Sequence, residues 1–377
     1  MQIALFALIA FLMIRLQALF YRKQCFRGVE SIVTFRDEAV TEGEASSLTE
    51  VIRNRKRLPL IALRVNFSVS RALVFLEKEN SAATDFTYRN DIFSVMPYEQ
   101  VTRTLPFTCT KRGYYRIEDF YLLGQDLFMT EKYIKNDSFD THLYVYPAPA
   151  DPERLSLPLK HTVGAIITNR SHLTDPFEFR GIREYQIYDP MKAINWKASA
   201  KGAGLMVNIN GYTANDSATL ILDLETDAVW QPDTLMEESI RILASFAEGL
   251  LRRGIPVRIL SNGTDLLNGQ IFHLEHGASL QHIRTVKEGL ARLDIHHPTP
   301  GIVSVLEQEQ KNRHTDTVYI LVSHIQSPAL IEAYEQLCSG REGCQWIAPL
   351  HYDMDCPALS VCRHAKVTRW EVPYGQR

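Results

Sequence analysis

Three groups of residues in this 377-residue chain have types and spacing that could do chemistry. Asp223-Leu224-Glu225-Thr226-Asp227 puts carboxylates at alternate positions, starting at the end of the short apolar run Ala218–Asp223. Acids so spaced can converge on a divalent cation, because Mg²⁺ takes one or two carboxylates and completes its shell with hydroxyls or water. Without a cation they repel and raise one another's pKa, so the same five residues also read as a solvated acidic loop. Cys338, Cys344, Cys356 and Cys362, with His351 and His364 nearby, are zinc-ligand types, but the five-residue gaps between the paired cysteines are wider than the ~2–4 usual for zinc. Asp294, His296 and His297 match no standard metal spacing and read as a surface turn before Pro298.

Other chemistries lack their residues. The chain has no Walker phosphate loop, no HExxH and no GxSxG, so nucleotide-phosphate cradling, zincin chemistry and a nucleophile elbow are not indicated. Gly202-Ala203-Gly204 follows a helical pattern and has no third glycine, which makes it a poor dinucleotide motif. No Ser/His/Asp set can be picked out. The sequence carries no support for an enzyme.

The elements that must position these residues follow from composition and periodicity. With 45% hydrophobic and 23% charged residues the chain is globular, and its length allows two domains with separate cores. A net charge of −3 argues against a nucleic-acid binder, which carries a basic excess. Ile3–Tyr21 is nineteen residues long with eleven Leu, Ile or Phe, enough to cross a hydrocarbon core of ~30 Å. Arg15 opposes insertion by about 2.5–3.5 kcal/mol if central, but the apolar residues outweigh it and its stem can snorkel. No basic residue precedes the run and no small-x-small site follows it, so an uncleaved anchor fits better than a signal peptide. Arg22, Lys23 and Arg27 then place the remaining chain in the cytoplasm by the positive-inside rule.

Short alternating runs fill the next region: Ser31–Arg36, Ile61–Ser70, Ala72–Glu77, Thr102–Thr108, Tyr114–Tyr121 and Thr141–Tyr146. Their spacing predicts a β-sandwich. Arg53–Arg57, the marked basic run, reads as a solvated loop before a long strand or as a contact for anionic headgroups or a partner. The last third alternates strands with helices. Ala218–Asp223, Ile255–Leu260, Thr317–Ser323, Gln345–Ala348 and Lys366–Val372 are expected strands, and Leu235–Arg253, Leu280–Leu293, Ile302–Gln310 and Pro328–Cys338 expected helices. That alternation predicts a doubly wound α/β domain with a parallel sheet, whose ligands lie beyond the C-terminal strand ends. Asp223 and Ser323 mark that edge. The expected division is residues 1–22 as anchor, 23–150 as β-sandwich, 151–215 as a junction segment and 216–377 as the α/β domain: α+β overall, and multidomain.

The junction centres on Phe179–Met206, where charged, aromatic and small residues alternate densely. Gly181–Tyr188 reads as a strand, Asp189-Pro190 as the N-cap and first turn of a helix running through Trp196 to Ala200, and Leu205–Ile209 as a further strand. Phe179, Gly181-x-Arg183-x-Tyr185, Asp189, Lys192, Ile194-Asn195-Trp196-Lys197 and Ala200-Lys201 together resemble the signature of a bacterial and archaeal family called domain of unknown function fifty-eight. Lys111–Tyr115, Asp126–Phe128 and Val145-Tyr146-Pro147 resemble its upstream elements, so the likeness runs over essentially the whole chain. There are departures. Tyr188 stands for the usual Gly, Asn195 for Asp, and Lys192 and Lys201 for Arg, and Lys cannot reproduce a bidentate Arg fork. Members typically have two anchoring helices where one is present here.

The resemblance implies a von Willebrand factor A-like domain after the signature and a MoxR-type AAA+ ATPase as partner. Adhesion-site versions of that domain hold Mg²⁺ through Asp-x-Ser-x-Ser and a later Asp. Here Asp223-x-Glu225-x-Asp227 and Ser323-His324 stand instead, so Asp223, Glu225, Asp227 and Ser323 are positions of a degenerate site. No bound metal or other cofactor is expected. Arg183, Glu184, Tyr185, Asp189, Lys192, Asn195, Trp196, Lys197 and Lys201 are expected to be structural or partner-binding, with Trp196 packing across the domain boundary. The expected function is a non-enzymatic, inner-membrane adaptor with one transmembrane helix and cytoplasmic domains. The rival is a metal-dependent hydrolase or ligand sensor using Asp223, Glu225 and Asp227.

Overall fold

A computed structural model describes residues 2–76, 81–83, 86–172, 174–186, 191, 194–201, 204–212, 217–225, 233–297, 299–312 and 317–374. The chain divides into two compact units, Met1–Ala148 and Pro149–Arg377. The segment expected as a separate anchor belongs to the first, and the expected junction to the second.

The first unit opens with the helix Gln2–Gln24, which is long and apolar enough to cross a membrane, a test that a signal sequence also meets. Most of its large side chains up to Phe20 are exposed, whereas Ala18, Tyr21 and Cys25 are buried. Its C-terminal turns are bonded to the β-strands that follow: the Tyr133 hydroxyl donates to the Ala18 carbonyl at 2.7 Å, and Lys56 Nζ donates to the carbonyls of Gln24 and Cys25. The Arg15 guanidinium pairs with Glu131 at 3.1 Å, so position 15 meets the strand region that follows.

The rest of this unit is a sandwich. One sheet runs in the order Val29–Phe35, Ala45–Asn54, Gln100–Cys109, Leu73–Phe75. The other runs Lys132–Asn136, Glu118–Gln125, Leu60–Ser70, Phe86–Val95, Ser81–Ala83. A third, smaller sheet holds Ala39–Thr41, His142–Tyr146 and Gly113–Arg116. Alternation drives the packing: Leu48, Ile52, Leu105 and Phe107 of the first sheet and Leu63, Val65, Phe67 and Phe93 of the second share one apolar core. Arg53 and Asn54 are not the solvated loop expected of the basic run but the end of a strand. There Arg53 pairs with Glu30 and Gln100, and the buried Asn54 amide donates to the carbonyls of Leu58 and Met96. The reason is strand pairing: Arg53 lies opposite both Glu30 and Gln100, so its charge is used across the sheet.

The second unit is wound around a sheet ordered Ile271–Gly277, Val257–Asp265, Ser217–Leu222, Thr317–Val322, Gln345–Leu350, Lys366–Glu371. Every neighbouring pair is parallel except the first, where Ile271–Gly277 runs antiparallel to Val257–Asp265. That edge strand departs from the expected all-parallel sheet. Its burial is patchy, as an edge exposed to water allows. Side chains alternate between two layers. Leu220, Leu222, Val318, Ile320 and Ile347 face a core completed by the helices Pro152–His172, Asp233–Leu251 and Leu280–Ala291. Ile221, Tyr319, Leu321, Trp346 and Ala348 face a second core with Ile302–Asn312 and Pro328–Cys338. The strand expected to end at Ala348 runs on through Pro349 to Leu350. Pairing with Thr317–Val322 ends at Ile347, so a missing N–H two residues later costs nothing on that side.

Candidate functional site

Leaving aside the two-residue strand Leu293–Asp294, which pairs antiparallel with Val257–Asp265, the other strands of the sheet numbered in chain order read 3-2-1-4-5-6, so the order reverses between Ser217–Leu222 and Thr317–Val322. At such a switch point the crossover connections leave to opposite faces and open a crevice at the C-terminal strand ends. Asp223 and Ser323 lie there, one residue beyond each strand, and both are fully buried. The Ser323 hydroxyl donates to Asp223 Oδ2 at 2.7 Å. The backbone N–H of Glu225 and the side-chain amide of Asn262 donate to Asp223 Oδ1, each at 2.9 Å. Asn262 is itself held from every side: its Oδ1 accepts from Leu224 N at 2.8 Å, and its Nδ2 also donates to the Pro300 carbonyl at 3.0 Å.

Burial pushes the Asp223 carboxyl up to about 6, against the pull of the Ser323, Glu225 and Asn262 donors. Next to Ser323, burial takes the His324 imidazole down to about 4, so it is neutral at pH 7. Asp223 and Ser323 are therefore joined by a hydrogen bond, and the Glu225 carboxylate points elsewhere. Its Oε2 accepts from Ile302 N at 3.2 Å, at the start of the helix Ile302–Asn312, where a carboxylate satisfies an orphan N–H and meets the positive end of the helix. Asp227 lies outside the described residues. Hydrogens from Ser323, Asn262 and the Glu225 N–H point at the two Asp223 oxygens and take up three of the roughly four lone-pair sites of that carboxylate.

The other metal candidates are dispersed. His351 Nδ1 lies 2.9 Å from the Val372 carbonyl, His364 Nδ1 lies 2.8 Å from Glu335, and Cys356 lies beside Gln326. Cys338 and Cys344 are buried free thiols. The Asp294 carboxylate accepts from His296 N at 2.9 Å, closing a local turn. Among the described residues no cluster of three His, Cys, Asp or Glu could hold a metal.

The segment Phe179–Met206 forms a different kind of feature. Thr174–Glu184 pairs antiparallel with Met206–Tyr212, with Arg183 opposite Val207 and Glu184 opposite Met206, and Tyr185 N continues the ladder to the Leu205 carbonyl at 2.8 Å. The helix between them is shorter than expected. It covers Trp196–Ser199 and is capped by Asn195, whose Oδ1 accepts from Ala198 N at 2.9 Å. Asn is among the best N-caps, so Asn195 can start the helix where it stands. Asp189 and Lys192 lie outside the described residues. Ile194 and Val207 are buried beneath the turn. Trp196 is 65% exposed, with Met191 at 73% and Leu205 at 45%, and Lys197 and Lys201 are exposed beside it. A four-residue helix offers too little buried face to sequester an indole.

A further cluster lies in the first unit, on the expected strand around Thr102–Thr108 and on two strands, Ala45–Asn54 and Phe86–Val95, that the sequence did not reveal. Arg89 and Asp91 are buried on one core-facing row of Phe86–Val95, bonded at 3.1 and 2.9 Å, and Arg103 joins Asp91 at 2.8 Å. Glu50 is buried among them with no hydrogen-bond partner on either oxygen among the described residues. The alternation of Phe86–Val95 is regular, but charges occupy its inward positions, so hydrophobic periodicity passes over it.

No family model matches the chain, and no curated protein matches it. Among solved structures it is similar to the CARDB domain of the PF1109 protein from Pyrococcus furiosus, at 17% identity over 31% of this chain and 83% of that one, with a TM-score of 0.19. It is also similar to Spo0M, a sporulation control protein from Bacillus subtilis, at 12% identity over 42% of this chain and 58% of that one, with a TM-score of 0.19. Likeness at that level carries no assignment. What the fold itself defines is a mixed α+β protein with one apolar N-terminal helix and several β-sheets.

Proposed function

We propose that this chain is a non-enzymatic adaptor of the inner membrane, anchored by its single N-terminal helix. It presents a von Willebrand factor A-like module to the cytoplasm and works with a MoxR-type AAA+ ATPase in chaperone-like assembly. The observation that carries the reading is the exposed Trp196 patch. A large aromatic with apolar and basic neighbours on a braced hairpin is the composition of an interface anchor. Two further features support it. The acid at the switch point is bound up in internal hydrogen bonds rather than offered to a substrate, and Asp223 and Ser323 occupy the ends of two strands that the family resemblance leads one to inspect. Retention of the helix is supported by the bonds from Tyr133 and Lys56 to its last turns, which cleavage would strip away, and the cytoplasmic side by Arg22, Lys23 and Arg27.

Affinity capture of the whole chain from detergent-solubilised membranes tests this. An AAA+ ATPase is expected in the eluate, reduced roughly tenfold by Trp196→Ala, as for an interface hot spot. Recovery of no such ATPase with the unaltered chain would reject the partnership. One observation favours the rival reading, a metal-dependent hydrolase or ligand sensor: a buried carboxyl with a raised pKa at a switch point is where chemistry is often placed. Calorimetric titration with Mg²⁺ and Mn²⁺ separates the two, because the adaptor predicts no saturable heat.

A further inference from the structure

The outer face of the sandwich carries a groove of about 920 Å³ lined by residues of the strands Leu60–Ser70, Phe86–Val95, Glu118–Gln125 and Lys132–Asn136. Strand register explains its composition. Asn136 lies opposite Tyr121, Tyr121 opposite Asn66, and Asn66 opposite Asn90, so three amides and a phenol form one row across four neighbouring strands. Such a row spans about 14 Å, three inter-strand spacings of ~4.8 Å. Tyr88, two residues before Asn90 and therefore on the same face, lines the groove and is 47% exposed. Asn66 Nδ2 is shut off from solvent, so the amides open to the groove are those of Asn90 and Asn136.

The groove edge is locally distorted. The ladder between Glu118–Gln125 and Leu60–Ser70 shifts register between Glu118 and Tyr121. Within that bulge Asp119 has a φ of +50°, a conformation that costs free energy for any residue with a Cβ. Bulges turn side chains that regular pleating would misplace. Here Asp119 accepts from Ser68 Oγ at 3.3 Å and borders the groove.

We propose that this groove binds a neutral, polyhydroxylated ligand, a short oligosaccharide chain. Primary amides and carboxylates present donors and acceptors at the separation of vicinal hydroxyls, and an exposed phenol ring stacks on the C–H face of a pyranose. The charges exclude the obvious competitors. Arg89, at the groove, is committed to Asp91 at 2.9 Å, and Asp137 pairs with Lys135 at 2.9 Å. Asp119 remains as a negative group that repels phosphate and carboxylate ligands. The volume suits a small ligand, and the row is long enough for several sugar rings side by side. This site lies in the first unit and does not depend on the adaptor reading, which rests on residues of the second.

Calorimetric titration of the detergent-solubilised whole chain with maltohexaose, cellohexaose and chitohexaose tests it, with oligogalacturonate as the charged control. At least one neutral hexaose is expected to give saturable binding, weakened about tenfold by Tyr88→Ala or by Asn90→Ala. Both positions face solvent, so an unchanged melting temperature verifies that the variants fold. Absence of saturable binding across the three neutral sugars overturns the proposal. So does a preference for oligogalacturonate, or binding that both variants leave intact.

Discussion

Glu50 is the residue whose environment most clearly opposes its charge. Burial first, and then the neighbouring Asp91 carboxylate, push its carboxyl up to about 8 against the pull of Arg103 and Arg89. An acid whose folded pKa lies above its unfolded value keeps its proton in the native state while the unfolded chain has already lost it. Stability then falls as pH rises from the unfolded value, near 4.5, through the folded value, near 8, and levels off above it. Glu50→Gln mimics the protonated form and should remove that slope. Thermal melts from pH 5 to 9 should show the two proteins alike at the acid end, with the variant ahead at the alkaline end by roughly 1–3 kcal/mol. Parallel curves would mean that Glu50 is ionised throughout. Nothing in the sequence around Ser47–Arg53 marks this residue, since its burial comes from strands far along the chain. Asp223 and Ser323 were legible because each follows a plainly apolar strand. Asn262, which also donates to Asp223, was not, because it lies within a strand expected to end at Leu260 and meets Asp223 only through the parallel register of Leu222 with Ser261.

At the scale of elements, the N-terminal helix is tied to the sandwich through close packing as well as hydrogen bonds. A Cβ built on Gly124 would fall 2.3 Å from Cys25 Sγ, nearer than any real contact, and Cys25 is fully buried in the sandwich core. Gly124→Ala should therefore lever the end of the helix away from its strand and lower the melting temperature of the detergent-solubilised chain, at a cost of about 1–3 kcal/mol for overpacking. Adding Cys25→Ala, which removes the sulfur, should recover much of that loss. A Gly124→Ala protein that melts normally would show that the helix is not seated there. Periodicity predicted the helix, but not this docking, because the contact pairs two residues that are each unremarkable in sequence. The same limit explains the other missed elements. Pro152–His172 carries Pro158 internally, which argues against a helix, yet its Leu155, Leu159 and Ile166 fill one face of the α/β core. The central strands and Pro328–Cys338, by contrast, are fixed by uniform apolar runs or by Ser327-Pro328 as cap and first turn.

Over the whole molecule, the two units draw on separate apolar residues. The sandwich core takes its buried members from Cys25 to Val145, whereas both cores of the α/β sheet are built from Ala150 onward. Several of the sheet's buried polar groups are likewise bonded inside the second unit: the Gln345 amide donates to the Pro158 carbonyl and to Thr162, and Glu309 holds both Arg258 and Tyr319. A unit with its own hydrophobic core has what independent folding requires. Residues 149–377, expressed alone without detergent, should therefore unfold in one cooperative denaturant transition, with a steep slope set by the surface a domain of this size exposes. They should also retain near-ultraviolet circular dichroism from the buried Trp346 and Trp370. A broad transition without that signal would mean that the sandwich completes the second unit's core. If the fragment folds, the Trp196 hairpin can be assayed for partner capture free of the membrane, and loss of binding there would then report on the hairpin itself rather than on the anchor.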